Sequence, residues 1–218
     1  PRGYRVVANT YSTLERSALA LRVPVQRSGV EILAAWRERI RSWQPVPPVE
    51  VASGPVMENM ITGDAVDVYR FPAPRWNEHD GGRYIGTGNA LIVRDPDEGW
   101  VNLGAHRAMI HDERTLGLGL VPGHHARIIA EKWHAKGLPC PAVMTLGQEP
   151  AFWVATCYGL PWGVSEYDFA GWLRDQPVPV INGPLTGLPI PATAEIALEG
   201  EIPPFEEDSR IEGPFGEW

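Results

Sequence analysis

Leu91-Ile92-Val93-Arg94-Asp95-Pro96-Asp97-Glu98-Gly99-Trp100-Val101-Asn102-Leu103 decides how this chain folds. Two apolar runs flank a cluster of Asp, Pro and Gly, residues that favour reversal of the backbone over continued strand. The pattern predicts a hairpin in which Leu91–Arg94 pairs with Trp100–Leu103. From Pro55 onward the texture is the same, with short apolar runs at Met57–Thr62, Val66–Tyr69, Tyr84–Val93 and Trp100–Ile110 separated by Gly, Pro and Asp. That texture predicts an antiparallel sheet or barrel. The 22 prolines and 23 glycines read as turns, because the segments between them are too apolar for disorder.

Upstream, Tyr4–Ala8 predicts a short buried strand and Thr13–Leu21 a helix containing Arg16. Ser28 precedes an amphipathic helix over Val30–Trp43, with apolar Ile32, Leu33, Trp36, Ile40 and Trp43. Gln44–Val49, with Pro45, Pro47 and Pro48, reads as an extended linker. It divides an N-terminal α/β element (1–50) from a second domain (51–218). Downstream, helices are predicted over His124–His134, Ala151–Tyr158 and Glu166–Leu173, a proline-punctuated loop over Val178–Pro191, and a strand over Thr193–Leu198.

Composition excludes several classes. Among 218 residues the net charge is −8 and the only lysines are Lys132 and Lys136, so no basic tract suits a nucleic acid. No apolar run is long enough to span a bilayer. Cys140 and Cys157 form neither a disulfide framework nor a Cys-x-x-Cys pattern, which fits a reducing cytoplasm. The chain begins without Met and stops straight after a motif, which reads as a piece of a longer protein.

Candidate chemistry starts with Glu212-Gly213-Pro214-Phe215-Gly216-Glu217-Trp218. Pro and Gly forbid a regular helix here, so the segment is a shaped loop whose two carboxylates either share a pocket or form a solvated acidic turn. In one apolar pocket they would ionise unequally, one holding a proton. Asn102 and Arg107 follow the hairpin at odd spacing, which puts them on opposite strand faces unless a bulge or bend intervenes. Taken alone, Arg107 reads first as a surface or ion-pair residue and only second as a site residue. His124 and His125 open a predicted helix, where a phosphate would be welcome, or they are surface decoration. Ser165 and Glu166 read as a cap and first-turn acid. An Asn, a His and a Glu together could also bind a hard divalent ion. Glu195, Glu199 and Glu201 read as solvated acids, and Trp76, Trp153, Trp162 and Trp172 as core, interface or the walls of a flat-substrate site.

In sequence order these segments resemble the UbiD-like decarboxylases, which use prenylated flavin mononucleotide. The carriers are Asp80-Gly81-Gly82-Arg83-Tyr84-Ile85, Asn102-Leu103-Gly104-Ala105-His106-Arg107, Pro191-Ala192-Thr193-Ala194-Glu195-Ile196 and Glu212-Gly213-Pro214-Phe215-Gly216-Glu217, covering Asn59 to Trp218. The Ser12–Leu21 stretch with Arg16 is similar to the family's N-terminal region. The resemblance implies an α+β fold with a split β-barrel, flavin-reductase-like domain, a preceding α/β element, and a C-terminal dimerisation domain that this chain lacks. It implies reversible, non-oxidative decarboxylation of an aromatic, heteroaromatic or α,β-unsaturated acid. Arg107, Glu212 and Glu217 match the catalytic set: Arg107 holds the substrate carboxylate and Glu217 returns a proton. Asn102, His125 and Glu166 match ligands of Mn²⁺ or Mg²⁺ bridging to the cofactor phosphate. Thr87, the backbone of Gly104, Ala105 and His106, Arg107 and His124 match positions around the flavin, and K⁺ is typical nearby. The flavin supplies the electron sink that side chains lack. Implied partners are the acid substrate, CO₂, a flavin prenyltransferase that supplies the cofactor and, in the full-length protein, further copies of the chain. A non-catalytic flavin- or phosphate-binding module of the same fold is the alternative. A two-carboxylate glycoside hydrolase on Glu212 and Glu217 would leave Asn102, His125 and Glu166 without a role.

Overall fold

A computed structural model describes residues 4, 6–26 and 28–205. Two short helices open the chain, α1 (Leu14–Ala20) and α2 (Gly29–Arg39), each started by a hydroxyl cap. Thr13 accepts from the Arg16 N–H, and Ser28 accepts from the Glu31 N–H. The α2 helix continues as a 3-10 turn over Ile40–Ser42 and buries Ile32 and Trp36, whereas Leu33 faces outward at 59% exposure. No strand forms among the described residues of Tyr4–Ala8, and Val6 and Val7 are exposed. An apolar run without a neighbouring strand has no hydrogen-bonding edge to join.

After β1 (Val49–Glu50) the chain runs through three 3-10 turns, Pro55–Met57, Gly63–Ala65 and Val68–Arg70. These replace the strands expected over Met57–Thr62 and Val66–Tyr69. Pro55 at the first helical position and Asp67, which accepts from the Tyr69 N–H, favour turns over ladders.

The central architecture comes from one folded-over hairpin. Strands β2 (Arg83–Gly86) and β3 (Asn89–Arg94) are nearly continuous, as are β4 (Val101–Gly104) and β5 (Ala108–Ile110). β3 pairs with β4, Val93 opposite Asn102, and β2 pairs with β5, Gly86 opposite Ala108. The two pairings lie in different sheets, because both stretches of chain turn a corner at 87–88 and 105–107. The bend required by the Asn102–Arg107 spacing is therefore present. Asn89, fully buried, holds the corner. Its Nδ2 donates to the His106 carbonyl at 2.6 Å, and its Oδ1 accepts from the His106 N–H at 3.3 Å, replacing the missing ladder bonds. Gly86 and Gly104 leave room for this: a Cβ on Gly86 would lie 2.2 Å from Asn89 Nδ2, and one on Gly104 would lie 2.5 Å from His106 Nε2.

β6 (Leu116–Leu118) completes the sheet β2-β5-β6. Then α3 (His125–Ala135) leads into β7 (Cys140–Leu146), α4 (Pro150–Thr156) and α5 (Glu166–Arg174). The predicted loop over Val178–Pro191 is instead a hairpin, β8 (Pro179–Asn182) with β9 (Pro189–Pro191), and β1 joins it in parallel. Its prolines sit at strand ends, where a missing N–H is tolerated. The last strand is β10 (Ile196–Ile202), not Thr193–Leu198, since Thr193 lies in a turn. It gives a four-stranded antiparallel sheet in the order β10-β7-β3-β4.

Alternation along β3 gives that sheet two dry faces. Ile92, Leu103 and Val143 meet Phe152, Tyr167, Phe169 and Trp36 from the helices α4, α5 and α2. Leu91, Val93 and Ala142 meet Ala126, Ile129 and Ala130 of α3. The fold is α+β, and among the described residues its two main antiparallel sheets do not close into one ring, as in a split barrel. No helix among these residues is long and apolar enough to cross a membrane.

Candidate functional site

Strand β4 collects the site. Both α3 and α5 pack against it, and each begins with a candidate ligand, His125 and Glu166. Asn102 pairs with Val93, so both side chains leave the sheet on the face that α3 covers. Glu166 reaches β4 from the start of α5. The Ser165 hydroxyl caps that helix through the Tyr167 N–H and donates to the Val101 carbonyl at 2.6 Å. This fixes the first turn over the strand. The Glu166 carboxylate then accepts from the Leu103 N–H at 2.7 Å and from Asn102 Nδ2 at 3.1 Å. The capping and ligand readings of this segment are thus both served, by adjacent residues.

Glu166 is only 2% exposed and forms no ion pair among the described residues. Burial pushes its pKa up to about 7 against the opposing hydrogen bonds. A buried carboxylate without a counter-charge is what a bound cation would relieve. The Oδ1 of Asn102 accepts no hydrogen bond from a described residue, which leaves an oxygen for the same ion. His125 is half-buried, and burial followed by the neighbouring His124 lowers its pKa from the usual histidine value, which favours the neutral form that a ligand needs. Its ring lies edge-on to Trp100 at 5.7 Å and to Trp162 at 5.2 Å, centroid to centroid. Beside it the buried Nε1 of Trp100 has no hydrogen-bond partner. Two oxygens, one neutral nitrogen, an unbalanced carboxylate and an orphaned donor fit a hard divalent cation with an anionic ligand. Asn102 and Glu166 are in contact, and His125 approaches from the opposite helix.

The expected flavin positions cluster at the corner. Gly104 ends β4, Ala105, His106 and Arg107 occupy the turn before β5, and Thr87 sits exposed on the adjoining turn. His106 is buried, its Nδ1 3.1 Å from the Gly119 carbonyl, and its ring lies 6.3 Å from that of the exposed His124. The Arg107 carbonyl accepts from the Gly119 N–H at 3.1 Å. Glu212 and Glu217 lie outside the described residues.

Several residues were not read as part of the site. Asn89 holds the corner, Trp100 walls His125, and Lys132 ties α3 to the hairpin turn through Asp95 at 2.6 Å. The Gly86-Thr87-Gly88 break between two apolar runs was the signal for Asn89; Trp100 and Lys132 had none. Glu199 is not merely solvated. Its carboxylate accepts from the Leu185 and Thr186 N–H groups and the Thr186 hydroxyl, bracing the β8–β9 turn. Trp76, read as core, interface or wall, is 48% exposed.

Residues 48–218 match the family described as UbiD, 3-octaprenyl-4-hydroxybenzoate carboxy-lyase Rift-related domain. The chain is 40% identical over 203 residues to the pyrrole-2-carboxylic acid decarboxylase of Pseudomonas aeruginosa, covering 93% of this chain and 40% of that protein. The vanillic acid decarboxylase of Sedimentibacter hydroxybenzoicus in closed form superposes with a TM-score of 0.87 at 30% identity, over 100% of this chain and 47% of the other. An evolved dimeric form of the UbiD-class enzyme HmfF from Pelotomaculum thermopropionicum, in complex with prFMN, superposes with a TM-score of 0.77 at 31% identity, over 88% and 44%. This sequence therefore spans less than half the length of those relatives, and it belongs to the UbiD family.

Proposed function

We propose that the chain is the flavin-binding portion of a decarboxylase acting reversibly on an aromatic, heteroaromatic or α,β-unsaturated carboxylic acid. What supports this reading is that Glu166 meets Asn102 on β4, and that His125 opens the other helix packed against that strand, beside the 105–107 corner. Asn102, His125 and Glu166 would hold Mn²⁺ or Mg²⁺, a positive charge that would favour the phosphate of prenylated FMN nearby. The flavin lies along Thr87, Gly104, Ala105, His106, Arg107 and His124, with K⁺ nearby. Bound there, the flavin supplies the electron sink for the departing carboxylate.

The chain's residues do the rest. The Arg107 guanidinium holds the substrate carboxylate, paired with Glu212, and orients the scissile bond. As that bond breaks, CO₂ leaves without the bonding pair, which remains on the substrate side where the bound flavin would delocalise it. Glu217, protonated at that moment, gives its proton to the same carbon and is reprotonated from water. A flavin prenyltransferase supplies the cofactor, and the full-length chain works as a homo-oligomer.

The test is a metal assay, an absorption spectrum and an intact cofactor mass on full-length protein co-expressed with a flavin prenyltransferase. Prenylated flavin with stoichiometric Mn²⁺ or Mg²⁺ is expected, and Glu217→Gln should retain both while CO₂ release stops. Wild-type turnover by Glu217→Gln removes it as proton donor. Flavin without CO₂ release from any acid of this class makes the chain a binding module instead.

A further inference from the structure

The two lysines of the chain are both spent on one clamp. Lys132 Nζ lies 2.6 Å from Asp95 Oδ2 and 3.3 Å from Asp97 Oδ2, and Lys136 Nζ lies 2.6 Å from Asp97 Oδ1 and 3.1 Å from the Pro96 carbonyl. Between them Trp133 Nε1 donates to the Arg94 carbonyl at 2.8 Å. One turn-and-a-half of α3 is thereby fastened to the β3–β4 turn. The two arms are unequal. The Asp95 side chain has no exposure and also accepts from the Asp97 and Glu98 N–H groups, whereas Asp97 is half exposed. The Lys132–Asp95 arm ends on an unexposed carboxylate while its lysine keeps some contact with solvent, and the Lys136–Asp97 arm is exposed at both ends and correspondingly weak.

Lys132 follows His125 by seven residues, two helical turns, so both project from the same side of α3. Its ammonium sits 5.0 Å from the Trp162 ring centroid. That indole donates to Glu98 at 3.4 Å, meets Trp100 at 5.0 Å and meets His125 at 5.2 Å. A continuous set of contacts therefore runs from Lys132 through Trp162 to the His125 imidazole. The strand at the far end of the hairpin carries Asn102.

We propose that Lys132 is a positioning residue for the metal-and-flavin site: its ion pair with Asp95 and its contact with Trp162 fix where His125 stands relative to Asn102. This rests on the functional reading above and adds residues that touch neither metal nor flavin. Groups behind metal ligands commonly change affinity 10–100-fold when removed.

The test uses the full-length chain, with Mn²⁺ followed by its EPR signal and FMN by fluorescence quenching with and without Mn²⁺. Lys132→Met, which keeps the stem and removes the charge, should weaken Mn²⁺ binding about tenfold and lose the Mn²⁺-dependent part of FMN binding. Lys132→Arg should restore both, and metal-free urea unfolding of Lys132→Met separates a lost binding geometry from a lost fold. Lys136→Met should bind both within about twofold of wild type, as expected for an exposed arm. If Lys132→Met does not fold, Trp162→Leu takes its place, since it leaves the ion pair and removes the ring beside His125. Either variant binding Mn²⁺ like wild type, or an equal loss in Lys136→Met, overturns the positioning role. Wild type that binds neither FMN nor Mn²⁺ overturns the functional reading, and this inference with it.

Discussion

Both α3 and α5 present their first residue to β4, yet the two first turns are built differently. At α5 the turn is closed by protein groups: Ser165 caps it, the same hydroxyl ties it to Val101, and Glu166 is bound by Leu103 and Asn102. At α3 the cap position is His124, whose side chain caps nothing, and His125 stands against two indoles without a hydrogen bond among the described residues. The closed turn holds a charge inward at an energetic cost. The open turn keeps its N–H groups and an imidazole available to something from outside. On the proposed function, one end of the site is preformed and the other is left for the ligand to complete.

Glu166→Gln should produce the largest effect on this contrast. Removing the only charged ligand should lower Mn²⁺ affinity at least ~100-fold, measured by EPR titration. The sign for the metal-free protein is opposite. Its carboxyl titrates at an ordinary 4.5 when unfolded and at about 7 when folded, so between those values the folded state holds a proton the unfolded chain has lost. Stability of the metal-free wild type should therefore fall as pH rises through that window, by roughly 3 kcal/mol in all. Glu166→Gln should lose that dependence in urea unfolding at pH 5 and pH 8. Equal pH dependence in the two proteins would show that the turn holds no strained charge.

His125→Ala is expected to be asymmetric in the other direction. Mn²⁺ affinity should drop by about tenfold or more, and FMN with it, while metal-free stability changes by less than ~1 kcal/mol because the lost ring is half-buried and unbonded. A large loss of metal-free stability would mean that the open turn is structural after all. The smallest effect is expected from His124→Ser, which offers α3 the cap that α5 already has. Metal-free stability should rise by about 0.5–1 kcal/mol, and FMN should bind more weakly as the new hydroxyl competes for the first-turn N–H groups. Unchanged FMN binding would remove those groups from the phosphate site.

The two turns also differ in how far they could be read from sequence. Ser165-Glu166 is a local signal, because capping is decided within three residues, and Asp95–Gly99 reverses the chain by the same kind of short-range chemistry. The bend before Arg107 was deducible from spacing, but its means was not. Asn89 reaches His106 across 17 residues; the Gly86-Thr87-Gly88 break marks the Asn89 end, but nothing local names its partner. Prolines misled at 178–191 because strand ends accept them, so composition suggested a loop where edge pairing exists. The 3-10 turns over 55–70 carry apolar residues that pack without laddering, a choice made by tertiary contacts rather than by local preference. Glu199 and Lys132 looked like ordinary surface charges because the groups they bind are 13 and 37 residues away.

The clamped hairpin turn has an evolutionary consequence in chain length. Side chains alternate along β4, so adding or deleting one residue between Asp95 and Gly99 must be absorbed by the turn or passed on to the strand. The turn has little slack, since its carbonyls at Arg94 and Pro96 and its carboxylates at Asp95 and Asp97 are all engaged by α3 or by Lys136 at its C-terminal cap. Passed on, the change would carry Asn102 to the face now occupied by Leu103 and put an apolar side chain, Val101 after an insertion or Leu103 after a deletion, at the proposed cation site. Single insertions or deletions at this turn should thus be selected against as strongly as substitution of Asn102 itself, although the turn touches no ligand.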